Sequence, residues 1–262
     1  MENDKARVVL CIKPVKSTLT GKHSADHAEM FQMNPYEVKV LKELVALKKA
    51  AGDSFLLTCL CMGAKASESV LRRAIAMGAD EAVLVSDPAY SGSDTVATSY
   101  ILTGALQKLE HVQLIVCGCR SIDGETGQVP IALSERMGFA LYTSISEITE
   151  ISTQGLIFRK QESDFVVTHR GQMPAVVTYD GFQVKEESIS LPALKRAKRK
   201  EIPCWDHKIL GLTLSRCGLE GSKTAVSEIH SGFTKKAGQQ FLGTTDETAM
   251  LLSGILKGVG NG

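Results

Sequence analysis

Short apolar runs alternate with longer stretches of helical period along the first 140 residues of the chain. Residues 7–13 (RVVLCIK) form a continuous apolar run, as in a strand buried on both faces. Asn34-Pro35 predicts a helix start, with Asn as N-cap and Pro at the first helical position. Val38, Leu41 and Val45 mark the apolar face of that helix, and Gly52 its end. Three more pairs follow: 55–61 (FLLTCLC) before a helix over about 67–77, 82–86 (AVLVS) before one over about 95–109, and 112–117 (VQLIVC) before one over about 128–137. Strands alternating with helices of this length predict right-handed crossovers and a doubly wound parallel α/β sheet.

After residue 140 the period changes. LYTSISEITEI, GLIFRK, DFVVTH and PAVVTY read as strands with tight connections, an antiparallel extension of the same sheet. A polar loop at 180–190 precedes a basic run, Lys195, Arg196, Lys198, Arg199 and Lys200, which is most simply a solvated segment. Beyond Pro203 the chain is glycine-rich and weakly patterned until Thr245, expected to cap a last helix ending near Gly258. The expected division is therefore a nucleotide-binding domain over 1–203 and a C-terminal arm over 204–262, too poor in apolar period to build its own core.

Composition narrows the functions open to such a fold. A net charge of +1 over 262 residues offers no electrostatic footprint for nucleic acid or an anionic membrane. No apolar run approaches the ~18 residues of a spanning helix. The start MENDKARVVL lacks a signal-peptide core, so a cytoplasmic location is expected. Seven cysteines, an odd count, argue for reduced thiols. The pairs Cys59/Cys61 and Cys117/Cys119 each share a strand face and could ligate a metal, but no histidine or CxxC completes a site, and buried small residues are the simpler reading.

The most informative stretch is VCGCRSIDGETGQVP, residues 116–130. It leaves a strand, passes Gly118, Gly124 and Gly127, and enters a helix whose first N–H groups attract an anion such as phosphate. It matches neither GxxxxGKS nor GxGxxG, and a tight connection with incidental glycines fits it as well. A second helix start, DPAYSGSDTVATSY, offers Asp94 as N-cap and the hydroxyls of Thr95, Thr98 and Ser99, which suit either a ligand or capping alone. Ligands of doubly wound sheets lie outside the strand carboxyl ends where strand order reverses. If the strands ending at Cys11–Lys13 and Gly118–Arg120 are neighbours there, all these segments line one crevice.

VVLCIKPV, MNPYEVKVLKELVALKK, MGAKASESVLRRAIAMGADEAVLV, SIDGETGQV, MPAVVTYDG and SLPALKRAKRK resemble, in order and spacing, the beta subunit of an electron-transfer flavoprotein. The resemblance implies a heterodimer with a flavin-holding alpha subunit, a beta subunit folded around an adenine nucleotide, and a flavin dehydrogenase or reductase as partner. In most members that nucleotide is AMP, and the beta subunit supports the alpha-subunit FAD and docks an acyl-CoA dehydrogenase. In the electron-bifurcating branch the crevice holds a second FAD, reduced by NADH, with ferredoxin as a further acceptor. DGETGQV and SGSDTVATSY resemble the bifurcating branch, since the AMP branch has consecutive aspartates at the first and lacks the second. The tyrosine that approaches the alpha flavin in the AMP branch falls on Thr18. The resemblance implies that Gly118, Arg120, Ser121, Ile122, Asp123, Gly124, Glu125, Thr126, Gly127, Gln128 and Val129 cradle pyrophosphate and adenosine. Asp94, Thr95, Thr98 and Ser99 are expected on the pyrophosphate or flavin side, and Cys11, Asn34, Met62 and Gly63 at the adenine end. Arg120 or Lys13 is expected to stabilise a reduced flavin. No acid, base or metal ligand is expected.

Overall fold

A computed structural model describes residues 5–16, 31–152, 154–183, 189–228, 241 and 243–259. Thr18 and the centre of the 180–190 loop lie outside the described residues. The first strand, β1 (Arg7–Ile12), is followed by a small antiparallel hairpin, β2 (Pro14–Lys16) with β3 (Phe31–Met33), that returns the chain to Asn34 beside Lys13. Then come α1 (Pro35–Ala50), β4 (Leu56–Met62), α2 (Glu68–Met77), β5 (Glu81–Val85), α3 (Thr95–Lys108), β6 (Val112–Gly118) and α4 (Gln128–Met137). The rest is β7 (Ala140–Ser152), β8 (Gly155–Glu162), β9 (Phe165–Gly171), β10 (Ala175–Tyr179), α5 (Leu191–Arg199), β11 (Cys204–Trp205), α6 (Gly218–Gly221) and α7 (Thr245–Val259).

The central sheet runs β11-β5-β4-β1-β6-β10-β7-β8-β9. From β11 to β7 every neighbouring pair is parallel, and β7-β8-β9 is antiparallel. The chain steps outward from β1 to β4 to β5, then returns through α3 to lay β6 on the other side of β1. Strand order therefore reverses between β1 and β6, as the crevice expectation required. The helices divide accordingly. One core layer joins α1 and α2 to Leu10, Leu57, Val116 and Tyr179, and the other joins α3 and α4 to Val9, Ile115 and Val176. Both faces being covered explains the unbroken apolar runs: Val8 to Ile12 are all buried.

Two segments differ from the sequence expectation. PAVVTY, read as part of the antiparallel extension, is β10, which inserts between β6 and β7 and pairs in parallel with both. All five of its residues are buried, the signature of a central parallel strand rather than of an alternating hairpin. The basic run lies in a helix, α5, capped at its start by the Ser190 hydroxyl, which accepts from the Ala193 N–H. Its last carbonyls are held by Arg72, whose guanidinium donates to Ala197 O, Lys198 O and Lys200 O.

The chain comprises two compact units, 1–225 and 226–262. Residues 204–225 sit in the first: β11 extends the sheet beyond β5, and Leu219 N donates to Ser91 O. Gly218, at φ +57 and with Ala89 O 2.3 Å from where a Cβ would be, lets that segment approach. In the second unit, α7 is capped by Thr244, one residue before the expected cap; its N–H and hydroxyl donate to the Glu247 carboxylate, and Glu247 N–H donates back to Thr244 Oγ1. Met250, Leu251, Leu252, Ile255 and Leu256 of α7 are exposed.

Candidate functional site

Parallel strands put the ends of β1, β4 and β6 on one edge, and the starts of α3 and α4 open on the same edge. Lys13, Asn34 and the 118–127 loop meet there. Gly118 ends β6 under the first turn of α1: a Cβ at this position would lie 2.8 Å from Tyr36 Cβ and 3.3 Å from Asn34 Nδ2. Gly127, at φ +61 with Cys119 O 2.9 Å from a Cβ, turns the loop into α4. Glu125 also takes a left-handed conformation, at φ 52, a local strain of the kind found where a loop is shaped for a ligand.

Gly124 differs from these two. Its φ is not left-handed, and a Cβ would meet nothing nearer than Lys13 Nζ and Ser121 Oγ, each at 3.6 Å. Among the described residues no packing contact requires glycine there. Around this open point several donors converge on one anionic oxygen, Asp123 Oδ1, which accepts from Lys13 Nζ (2.6 Å) and from Gly124 N (2.7 Å). Ser121 Oγ stands 3.2 Å from the same ammonium. Partial burial pushes the Asp123 carboxyl up, but the Lys13 ammonium, the Ser121 hydroxyl and the Gly124 N–H hold it below the usual carboxylate range. The loop thus already gathers the donors of an anion site, with its own carboxylate as the anion.

The two helix starts are not equivalent. Asp94 caps α3 by accepting from Val96 N and Ala97 N, and its other oxygen accepts from Lys223 N, Thr224 N and Thr224 Oγ1. Burial raises this carboxyl and those main-chain N–H groups hold it low. Both of its oxygens are engaged within the chain, where they shape the α3 start. Ser99, expected beside the ligand, is fully buried between α3 and α4, where its hydroxyl donates to Val96 O and accepts from Arg136 Nε. By contrast α4 has Gly127 at its N-cap and no side-chain cap. Its first N–H groups and the positive end of its dipole face the loop. Thr95 Oγ1 lies 3.0 Å from Gln128 Oε1, so the first residues of α3 and α4 touch, and Thr98 follows one turn along, half-buried.

At the other end of the crevice, Met62 closes β4 and Gly63 N donates to Val85 O. A Cβ at Gly63 would sit 2.6 Å from Ser67 Oγ, a fully buried hydroxyl without a hydrogen-bond partner among the described residues. Cys11 and Cys117 are side by side in β1 and β6 on the α3/α4 face, and the hydrogen bond between them, then burial, pushes the Cys117 thiol up. Cys59 and Cys61 are buried in the other layer. Among the described residues no three His, Cys, Asp or Glu side chains gather as a metal site. Arg120 is exposed, with Nε donating to Tyr36 Oη at 2.9 Å, while Lys13 Nζ is seated against Asp123 and Ser121.

Glu37 was missed. It is buried in the first turn of α1, accepting from Lys13 N (2.8 Å) and Asn34 Nδ2 (3.0 Å). Asn34, equally buried, makes no side-chain cap; its amide donates to Arg120 O at 3.0 Å and its oxygen accepts from Ile122 N at 3.4 Å. The signal was the spacing Asn34-x-x-Glu37, which reads as a capping box; its burial against the 118–127 loop is a tertiary fact.

The chain is similar in sequence to known proteins. The family model described as the electron transfer flavoprotein domain matches residues 23–210. The chain is 33% identical over 233 residues to Protein FixA of Azotobacter vinelandii, covering 84% of this chain and 82% of that one. It is 30% identical over 258 residues to the caffeyl-CoA reductase-Etf complex subunit CarD of Acetobacterium woodii, covering 96% and 98%. It is 32% identical over 234 residues to the electron transfer flavoprotein subunit beta of Megasphaera elsdenii, covering 85% and 86%.

Proposed function

The chain belongs to the electron transfer flavoprotein family, and on that premise we propose that it is a beta-type subunit that binds FAD in the β1/β6 crevice. In this reading it pairs with an alpha subunit and passes electrons from NADH toward a partner dehydrogenase or reductase, with ferredoxin as a further acceptor. The observation that carries it is the uncapped start of α4 at the switch point, beside Lys13 and a glycine, Gly124, that no packing contact among the described residues requires. A phosphate fits the donors that Asp123 now engages, because an anionic oxygen is what they already hold. The contact between Thr95 and Gln128 favours a diphosphate over AMP, since hydroxyl groups continue beyond the first phosphate position onto α3.

When bound, the flavin supplies the one- and two-electron chemistry. The chain's own residues do the rest. The α4 N–H groups at Gln128 and Val129 and the Lys13 ammonium bind phosphate, and Gly124 and Gly127 let it approach. Positive charge from Arg120 or Lys13 favours a reduced, anionic ring over an oxidised one. Cys11, Met62 and Gly63 close the adenine end, with the Ser67 hydroxyl held beneath Gly63. The C-terminal arm expected over 204–262, including the apolar residues exposed on α7, is taken to pack on the alpha subunit. Among the described residues no helix is long and apolar enough to cross a membrane.

The test is flavin content after co-expression with the alpha subunit and reconstitution with excess FAD. Two flavins per heterodimer are expected, with bleaching of flavin absorbance by NADH in the absence of any dehydrogenase. One flavin plus one AMP, with no NADH reaction, would replace this reading by the AMP-binding one.

A further inference from the structure

We propose that Glu37 is a positioning residue for the nucleotide loop, and that the loop takes its binding shape only while this carboxyl carries its charge. The inference rests on the reading that the 118–127 loop binds a nucleotide. Glu37 makes no hydrogen bond to the loop's described residues and reaches it through its partners. It holds the Lys13 N–H at 2.8 Å and the Asn34 amide at 3.0 Å. Asn34 in turn grips two points of the loop, Arg120 O and Ile122 N. One buried carboxyl therefore sets both Lys13, whose ammonium reaches Asp123, and the backbone around Gly124.

The donor count ties this geometry to charge. Both partners of Glu37 are N–H donors, so each of its oxygens must accept. A protonated carboxyl would carry an O–H for which neither of these two donors offers an acceptor, and its hydroxyl oxygen would accept more weakly. Asn34 cannot compensate by turning its amide over, because its oxygen would then face Arg120 O and its NH2 the Ile122 N–H. The carboxylate satisfies all four bonds and leaves no O–H unmet, so it holds this arrangement more strongly than the acid does. The charge is nevertheless expensive to keep: burial pushes the Glu37 carboxyl up to about 8, against the opposing pull of the Asn34 and Lys13 hydrogen bonds. The ionisable groups that face it are Lys13 at the end of β1, Asp123 in the loop, and the thiols of Cys59 and Cys61 in β4 and Cys117 in β6. Lys13 favours the carboxylate, and Asp123 opposes it.

Binding then requires a form that the free chain populates less as pH falls. The apparent dissociation constant rises as the reciprocal of the competent fraction, about tenfold per pH unit below the carboxyl's own value. FAD is the suitable probe, because its phosphates do not titrate between about pH 6 and 9. Titrated with FAD and followed by quenching of flavin fluorescence, the full chain should bind roughly 20-fold to 30-fold more weakly at pH 6.5 than at pH 8.5. Glu37→Gln puts an NH2 where an acceptor is needed, and should bind weakly at both pH values with no slope. Circular dichroism establishes that the variant is folded, and the wild-type profile stands as a test without it. A flat wild-type profile, or Glu37→Gln with wild-type affinity and slope, overturns the proposal alone. No FAD or AMP bound at any pH overturns it together with the reading on which it rests.

Discussion

Replacing Gly124 by valine should separate nucleotide binding from folding, and the two magnitudes can be worked out from the surroundings of that residue. A Cβ there meets its nearest neighbours, Lys13 Nζ and Ser121 Oγ, at an ordinary 3.6 Å, and the backbone is not in a left-handed conformation. The added carbons therefore extend into open crevice, and the stability change should stay within about 1 kcal/mol, or roughly 2–4 °C in Tm. For a phosphate the consequence is different. The methyl groups would crowd the open space beside Lys13 Nζ and Gly124 N that an incoming phosphate has to enter. Losing two charge-assisted hydrogen bonds, each worth ~1.5–3 kcal/mol, amounts to about 3–6 kcal/mol, or ~10²–10⁴ in Kd. Gly118→Ala is the contrasting variant. Its Cβ would lie 2.8 Å from Tyr36 Cβ, and the overpacking should lower stability by about 1–3 kcal/mol. The assay is FAD and AMP binding by isothermal titration, with thermal melts of the same preparations. A folded Gly124→Val chain that retains wild-type affinity would mean that the nucleotide sits elsewhere.

Other outcomes follow from the same geometry. Because the Glu37 carboxyl in the fold titrates near 8 and in the unfolded chain at its ordinary, lower value, the folded state holds the extra proton between those limits. Stability of the free chain should thus fall as pH rises from about 5 to 8, by at most ~1.4 kcal/mol per pH unit, and urea melts of Glu37→Gln should lack that slope. Asp94→Ala removes the α3 cap and the anchor of residues 223 and 224, costing ~0.5–2 kcal/mol, with faster amide exchange at 222–224 as the local readout. Deleting 245–262 should weaken association with the alpha subunit while the sheet stays folded; unchanged association by analytical ultracentrifugation would contradict a docking role for α7.

What the sequence determined by itself is local. Apolar runs and helical period placed β1, β4, β5 and β6 and the four helices that follow them, and α4 begins and ends where its pattern says, at Gln128 and Met137. These signals survive because they depend on neighbours two to four residues apart. The glycines at 118, 124 and 127 were legible as a loop, but not their different reasons: Gly118 is demanded by Tyr36, Gly127 by its φ, and Gly124 by no packing contact among the described residues. Only the tertiary structure decided that β1 lies beside β6 and that β10 slips between β6 and β7, because parallel partners are chosen by crossovers spanning dozens of residues. It also turned Ser99 inward to Arg136, joined Asp94 to residues 130 positions away, and placed β11 on the sheet although 204–225 carry too little period to announce a core. Burial decided Glu37. A carboxylate three residues after Asn34 reads as a surface capping group, and becomes the anchor of the nucleotide loop because β1 and β6 bring Lys13 and Arg120 over it and exclude water from it.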